Sequence, residues 1–568
     1  MIMIVFKPPG NGITQISDTL YNRCAYAIYF ILAVVCMVAW WRLQIPFPLL
    51  GSDSSNIASF AAAWEYPERF ATDPTLGRIE VYGQYATIHI PLLIGLSKLF
   101  GDYGTATMML LIPALFLQGI GFHLLGLTLF KDRLAASLLA LLSFGTVSLT
   151  LDYYGTYIEP QPRLLFLALL PFALLLLFRT AERPKQWPGV FAVFGLLMYV
   201  HPVSAPTIAL ASWLAAWIIH PLGLPFWYRF KWMLAAGLTF LIAVSPFMFI
   251  YLSTRAYGGV DDYALLSELN HKIFGAEYND YRSYISTMLT RWETRLLLPL
   301  WGSAGFLAVW ILAPWARRRC LFFVAWGVAI VAGSAGITAL EQWISRATQT
   351  MPVEIDLIRN LRYICLPLIL FGVWGSRLAT RRLHAGGFGI VAAIVICIAW
   401  LSLNRPGSIP FRATIACLAQ GQFLCKPVQW EKDITALDVL RDLPPGTKFL
   451  PFIEPARVRF SLAIRYYALK PLVWTNKDGG SVLGYTKFDE LKNWWAIRTR
   501  MANARTITDS VSRTGAVMNI AELLKADAVI SDLRLVARGL ATPWKLLSTA
   551  GGYAIALRCG GENDPCAE

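Results

Sequence analysis

The sequence predicts an all-α polytopic membrane domain of about 11 transmembrane helices plus juxtamembrane helices, followed by a small extracytoplasmic α/β domain. Three observations predict it. Of 568 residues, 56% are hydrophobic and 15% charged, with a mean hydropathy of +0.51; soluble chains carry about 25% charged residues. Apolar runs of roughly 15 to 22 residues recur between short charged loops. After residue 403 that texture ends, and apolar segments shorten to the lengths of soluble elements.

Spans are expected at 24–45, 104–130, 134–151, 164–178, 189–201, 204–220, 233–252, 296–314, 320–340, 361–376 and 387–403. No small-residue cleavage site follows the first, so it reads as an uncleaved span. With the N-terminus inside, the inward loops hold Lys131 and Arg133; Arg179, Arg183 and Lys185; Arg229 and Lys231; Arg317, Arg318 and Arg319; and Arg377, Arg381 and Arg382. Thirteen bases thus stand against two acids, Asp132 and Glu182. One orientation satisfies every loop by the positive-inside rule. The net charge of +15 therefore reads as topology, and no nucleic-acid partner is expected. The apolar stretch YATIHIPLLIGLSKLF, 85–100, would invert every later loop if it crossed, so it reads as a juxtamembrane or re-entrant helix on the outer face. No N-x-S/T triplet occurs, which favours a bacterial inner membrane, with residues 1–403 embedded and 404–568 periplasmic.

Within 404–568, the turn clusters NRPGS, DLPPGT and KDGG separate two kinds of segment. KFLPFI, PLVWT, DAVISD and YAIAL look like strands; TALDVLRDL, FDELKNWWAIRTRMA and IAELLKA look like helices. Such alternation implies an α/β domain. KDGG, 477–480, is either a simple turn or a loop covering the membrane site, and Arg457 and Arg465 are candidates to reach that site from above. Cys417, Cys425, Cys559 and Cys566 all lie in this tail. Even number and close pairing suggest disulfides in an oxidising compartment. Zinc is the rival, but the spacings match no common motif and the tail has no histidine.

The outward loops hold the candidate chemistry. In LLGSDSSNIASFAAAW, 49–64, Ile57, Phe60, Ala61 and Trp64 fall on one helix face that can rest on the bilayer. Asp53 at its start is either an N-cap or a functional carboxylate. DYYGTYIEPQPR, 152–163, packs Asp152, Glu159 and Arg163 among three tyrosines. Carboxylates at that depth are solvated, paired, or bound to a metal or sugar; the alternative is an interfacial tyrosine belt with a Glu–Arg pair. Arg359 and Arg362, three apart, share one side of a helix, where they can fork onto phosphate or snorkel to headgroups. His201, beside Ser204 at an outer span end, is either structural or part of a substrate site.

Together these features resemble the GT-C-fold membrane glycosyltransferases, which include the protein O-mannosyltransferases, the lipid A aminoarabinose transferase and the oligosaccharyltransferase catalytic subunit. The likeness is carried by Asp53 in GSDSSN, by Asp152 and Glu159 in DYYGTYIEP, and by Arg359 and Arg362 in DLIRNLRY. The tail stretch FLPFIEPARVRFSLAIRYYALKPLVWTNKDGG with FDELKNWW is similar to tails of bacterial members. The first loop departs from the family in having no D-x-D or adjacent Asp–Glu pair, and Asp152 and Glu159 are farther apart than in a D-x-E motif. The resemblance implies transfer of a sugar, with inversion, from a polyprenyl-phosphate or diphosphate donor to a glycan, lipid or protein acceptor on the outer face. It implies Asp53 as base, Arg359 and Arg362 on phosphate, and Arg163 and His201 on substrate. Asp152 and Glu159 would hold sugar or a divalent cation such as Mg or Mn. The rival expectations are an envelope polysaccharide polymerase or ligase, a flippase or other transporter of lipid-linked sugars, and a receptor whose tail binds a partner. Transporters show internal repeats and ionisable groups deep in their spans, whereas these spans are nearly free of charge.

Overall fold

The computed structural model describes residues 18–43, 50–78, 87–147, 149–155, 161–221, 223–254, 263–274, 280–292, 296–350, 356–382, 428–479 and 488–560. Among them, six helical segments are long and apolar enough to cross a membrane: Leu20–Val38, Tyr103–Phe130, Pro162–Arg179, Phe226–Ser253, Pro314–Thr348 and Leu357–Arg382. The shorter apolar helices are His89–Phe100, Arg133–Ser143, Ala205–Ile219 and Leu297–Leu312. The fold is that of a helical membrane protein, with six such segments where 11 spans were expected.

The shortfall has local causes. The helix in the expected span 134–151 ends at Ser143, after 11 residues or about 16 Å. The chain then extends, pairing β1 (Thr146–Val147) antiparallel with β2 (Tyr154–Gly155). Gly155 permits that approach: its φ is +102°, and a Cβ there would lie 2.1 Å from the Gly145 carbonyl oxygen. Non-helical backbone is tolerated at membrane depth where protein covers it, and all four strand residues are buried. The expected span 189–201 leaves α-helix at Leu196 for the 3₁₀ turn Leu197–Tyr199. The expected span 387–403 and the boundary after 403 lie outside the described residues. The segment 85–100 forms the 12-residue helix His89–Phe100. Its length of about 18 Å falls short of the ~30 Å hydrocarbon core, and it packs against the Ser52–Glu65 helix.

One end of the bundle gathers the basic loops. Asp132 accepts from Arg377 at 3.0 Å and pairs with Arg381 at 2.5 Å. Arg319 donates to the carbonyls of Thr128 and Leu129, and Arg318 to those of Ile218 and His220. Lys131 sits over the Trp315 ring, Arg133 over Tyr21, and His220 against Trp187. Mid-bundle, Leu297–Leu312 meets Cys365–Arg382 across Gly302, Gly305, Gly372 and Gly375, so closely that a Cβ on Gly375 would lie 2.3 Å from Gly305 Cα. Small residues allow such contact between apolar helices.

The C-terminal region carries a four-stranded sheet in the order β3-β4-β6-β5, with β3 (Phe449–Phe452) parallel to β4 (Ala528–Ser531), and β5 (Trp544–Ala550) and β6 (Tyr553–Arg558) forming an antiparallel hairpin. Gly551 and Gly552, at φ +59° and +83°, make its two-residue turn. The expected strand PLVWT makes one bridge, Leu472 with Phe449, whose N–H donates to the Pro471 carbonyl and whose carbonyl accepts from Val473; the next rung would need an N–H from residue 451, a proline. Strand β5 and the helix Val458–Tyr466 have no counterpart in the sequence reading. Cys417, Cys425 and Cys566 lie outside the described residues, and Cys559 is disulfide-bonded. No disulfide pair therefore lies wholly within the described residues.

Candidate functional site

The site forms at the end opposite the basic loops, where the Ser52–Glu65 helix meets the C-terminal domain. Gly51 is the N-cap, extended and without a side-chain cap bond, so Asp53 in the helix's first turn is not the N-cap that a local reading allows. Of the four residues expected on a bilayer-facing side, Ile57, Phe60 and Ala61 are buried against protein and Trp64 is exposed; Ser54, Ser55, Asn56 and Ser59 are buried as well. The Val458–Tyr466 helix packs against this one, with Ser59 Oγ against the Leu462 carbonyl at 3.5 Å and Leu50 N–H donating to Tyr466 Oη at 2.9 Å.

Freed from capping, the Asp53 carboxylate accepts from Lys477 Nζ at 2.5 Å and from Gln161 Nε2 at 3.4 Å. Half of its side-chain surface (53%) stays open to solvent. Burial is the largest single influence on its protonation and opposes the charge. Lys477, then Arg359 and Arg163, outweigh burial and hold the carboxyl below its ordinary value.

The two arginines of DLIRNLRY stand on the eight-residue 3₁₀ helix Leu357–Ile364. With three residues per turn, positions i and i+3 eclipse, which puts Arg359 and Arg362 on one side. Asn360 Nδ2 donates to the Val203 carbonyl (2.7 Å) and Thr207 Oγ1 (3.0 Å), and Tyr363 Oη to Ser204 Oγ (2.8 Å). These bonds pin the segment to the turn that carries His201. A π-bulge, Ala332–Gly336, packs behind it; such bulges recur at functional sites.

Arg359 approaches Asp356 at 3.7 Å. Arg362 is only 3% exposed, lies over the Tyr363 ring, and reaches Ser204 Oγ at 3.5 Å. Its Nε and Nη1 have no hydrogen-bond partner among the described residues. A buried guanidinium is costly without an acceptor. His201 Nδ1 accepts from Ser204 N–H at 3.2 Å, which places the imidazole proton on Nε2. Arg362, Arg163 and His89 are its charged or titratable neighbours. Asp152 accepts from Tyr284 Oη at 3.1 Å, and Tyr284 lies within the field of Arg362.

The structure thus brings together Asp53, Arg163 and Arg359, and beside them Arg362, His201 and Asp152; Glu159 lies outside the described residues. Among the described residues no three His, Cys, Asp or Glu side chains converge as a metal set would. Arg457 and Arg465, expected to reach the site, do not. Arg457 pairs with Asp433 at 2.6 Å, and Arg465 is buried between Asp73 and Asp478. Lys477, Gln161 and Tyr284 were not among the expected site residues, and Ser204 entered only as the neighbour of His201. For Lys477 the signal was its place in KDGG, weighed as a turn or as a loop covering the site; its partner is 424 positions away. Compared with protein-family models and with curated proteins, the chain matches none.

Proposed function

We propose that this protein is a membrane glycosyltransferase of the GT-C type, which moves a sugar from a polyprenyl-phosphate or diphosphate donor to an acceptor hydroxyl. The observation that carries the reading is one carboxylate, Asp53, half open to solvent, hydrogen-bonded to Lys477 and within the field of Arg359 and Arg163, with the Arg362 guanidinium, two of whose nitrogens lack a partner among the described residues, nearby. Asp53 is ionised and open to water, so it can take the acceptor proton as the glycosidic bond forms. Phosphate accumulates charge as it leaves, and preorganised guanidinium groups stabilise that charge in the transition state. Arg359 and Arg362 supply the donors, Arg163 adds charge, and His201 and Asp152 face the sugar. The arginines perform the neutralisation that a cation would otherwise bring.

The gathering of basic loops at the opposite end supports an orientation with the N-terminus in the cytoplasm and this site outside. A lipid-anchored donor holds its phosphate at the interface, the level at which a juxtamembrane site operates. The test is transfer from a polyprenyl-phosphate sugar in proteoliposomes, comparing wild type with Asp53→Asn. Wild type transfers and the variant does not. Movement of the intact lipid-linked sugar between leaflets, with no bond made, would instead identify a flippase.

A further inference from the structure

Lys477 is delivered to Asp53 by a loop held with unusual firmness. Arg465, fully buried, donates Nε and Nη2 to the two Asp73 oxygens at 2.8 and 2.9 Å. Its Nη1 and Nη2 reach the two Asp478 oxygens at 2.7 and 3.2 Å. Asp73 belongs to the loop after the first span, and Asp478 is the residue next to Lys477. Asp73 also accepts from the backbone N–H of Thr75, Leu76 and Leu472, and Asp478 from that of Thr475. Trp494 closes the loop from behind, donating Nε1 to the Thr475 carbonyl at 2.7 Å and leaving no room for a Cβ at Gly479. Buried ionic groups are weak sources of stability, and their best-attested use is to fix geometry. Here the fixed geometry is that of Lys477.

The pair that this loop presents is of the opposite kind. Asp53 stays half open, and exposed ion pairs contribute little stability. An ammonium on a flexible stem can change partner without the loop moving, and Arg359 and Arg163 act on the same carboxylate.

We propose that Lys477 is the C-terminal domain's contribution to the phosphate subsite, its ion pair with Asp53 being exchanged for one with the phosphate of an incoming isoprenoid donor. Docking the donor thereby releases the base, and Asp53 takes up an acceptor proton only when a phosphate is in place. This inference rests on the reading of the site as a polyprenyl-phosphate transferase.

The test measures binding of a polyprenyl monophosphate to the full-length protein in neutral-lipid vesicles. Lys477→Met weakens binding about 10- to 100-fold, the worth of a charge-assisted hydrogen bond, and Lys477→Arg restores most of it. Asp53→Asn binds the probe more tightly than wild type, because a competitor for Lys477 is gone, and this gain vanishes in Asp53→Asn/Lys477→Met. Lys477→Met binding as tightly as wild type, with transfer by wild type intact, overturns the exchange and leaves the transferase reading standing. Wild type that binds no polyprenyl phosphate overturns both. Equal binding of inorganic phosphate would put free phosphate on Lys477 and overturn the donor assignment.

Discussion

At one end of the bundle Arg318 and Arg319 donate to the carbonyls of Ile218, His220, Thr128 and Leu129, where two helices terminate. At the other end Arg362 is buried with Nε and Nη1 lacking a partner among the described residues. The residue type is the same and the uses differ. Helix C-termini expose carbonyls and carry partial negative charge, so the first pair meets the ends of two helices and completes the fold. The acids differ in the same way. Asp132 is saturated by Arg377, Arg381 and the Ala135 N–H of its own helix, whereas Asp53 caps nothing and keeps half its surface in water. The two ends thus differ in burial and partners: the far arginines meet helix-end carbonyls, whereas the buried Arg362 keeps two nitrogens without a partner among the described residues.

The contrast can be broken most severely at Asp53. Asp53→Asn lowers transfer about 10²- to 10⁴-fold, the range of a lost general base, with unfolding temperature unchanged because no cap is lost. A fully active variant removes the assignment. Next is Arg465→Met, which strands two buried carboxylates and destabilises the C-terminal docking by about 3–5 kcal/mol. Limited proteolysis within 428–560 reads it, and adding Asp73→Asn with Asp478→Asn recovers part of the loss.

A paired replacement sharpens the comparison. Arg362→Lys retains charge but loses the fork, and raises the donor KM about tenfold; Arg318→Lys at the far end leaves KM alone. Equal effects at both ends would dissolve the distinction. The pH profile gives a subtler reading. Asp53 is held below the ordinary carboxylate value of about 3.9, so its ionised form, and any stability tied to it, is fully present above that value and is lost as pH falls through the lower folded one. Lys477→Met removes the foremost stabilising cation, and the acid limb of kcat/KM moves to higher pH; an unmoved limb would show the ammonium irrelevant to the base. The smallest effect is Asp132→Asn, about 1 kcal/mol from a weakened cap and ion pairs, seen in thermal unfolding with donor KM constant.

Much of the fold was legible because it is written in local patterns. Apolar run length marks the membrane class, and the loop bases mark one end of the bundle, where contacts join Lys131, Arg318, Arg319 and Arg377. The spacing of Arg359 and Arg362 already placed them on one side. Illegible were the short elements. An apolar run such as 134–151 looks the same whether it crosses as a helix or stops at Ser143 and pairs as a ribbon, since hydropathy records burial and not backbone shape.

By itself the sequence determined a helical membrane protein with clusters of bases in short loops, a tail of strands and helices, and an aspartate just after the first span. Tertiary structure alone decided that Asp53 is no helix cap, that Lys477 lies upon it, and that Arg465 binds acids 392 and 13 positions away. The physical reason is range. Periodicity and charge bias act within a helix turn or a loop, whereas a salt bridge needs only that two side chains meet in space, and no spacing in the chain announces that meeting.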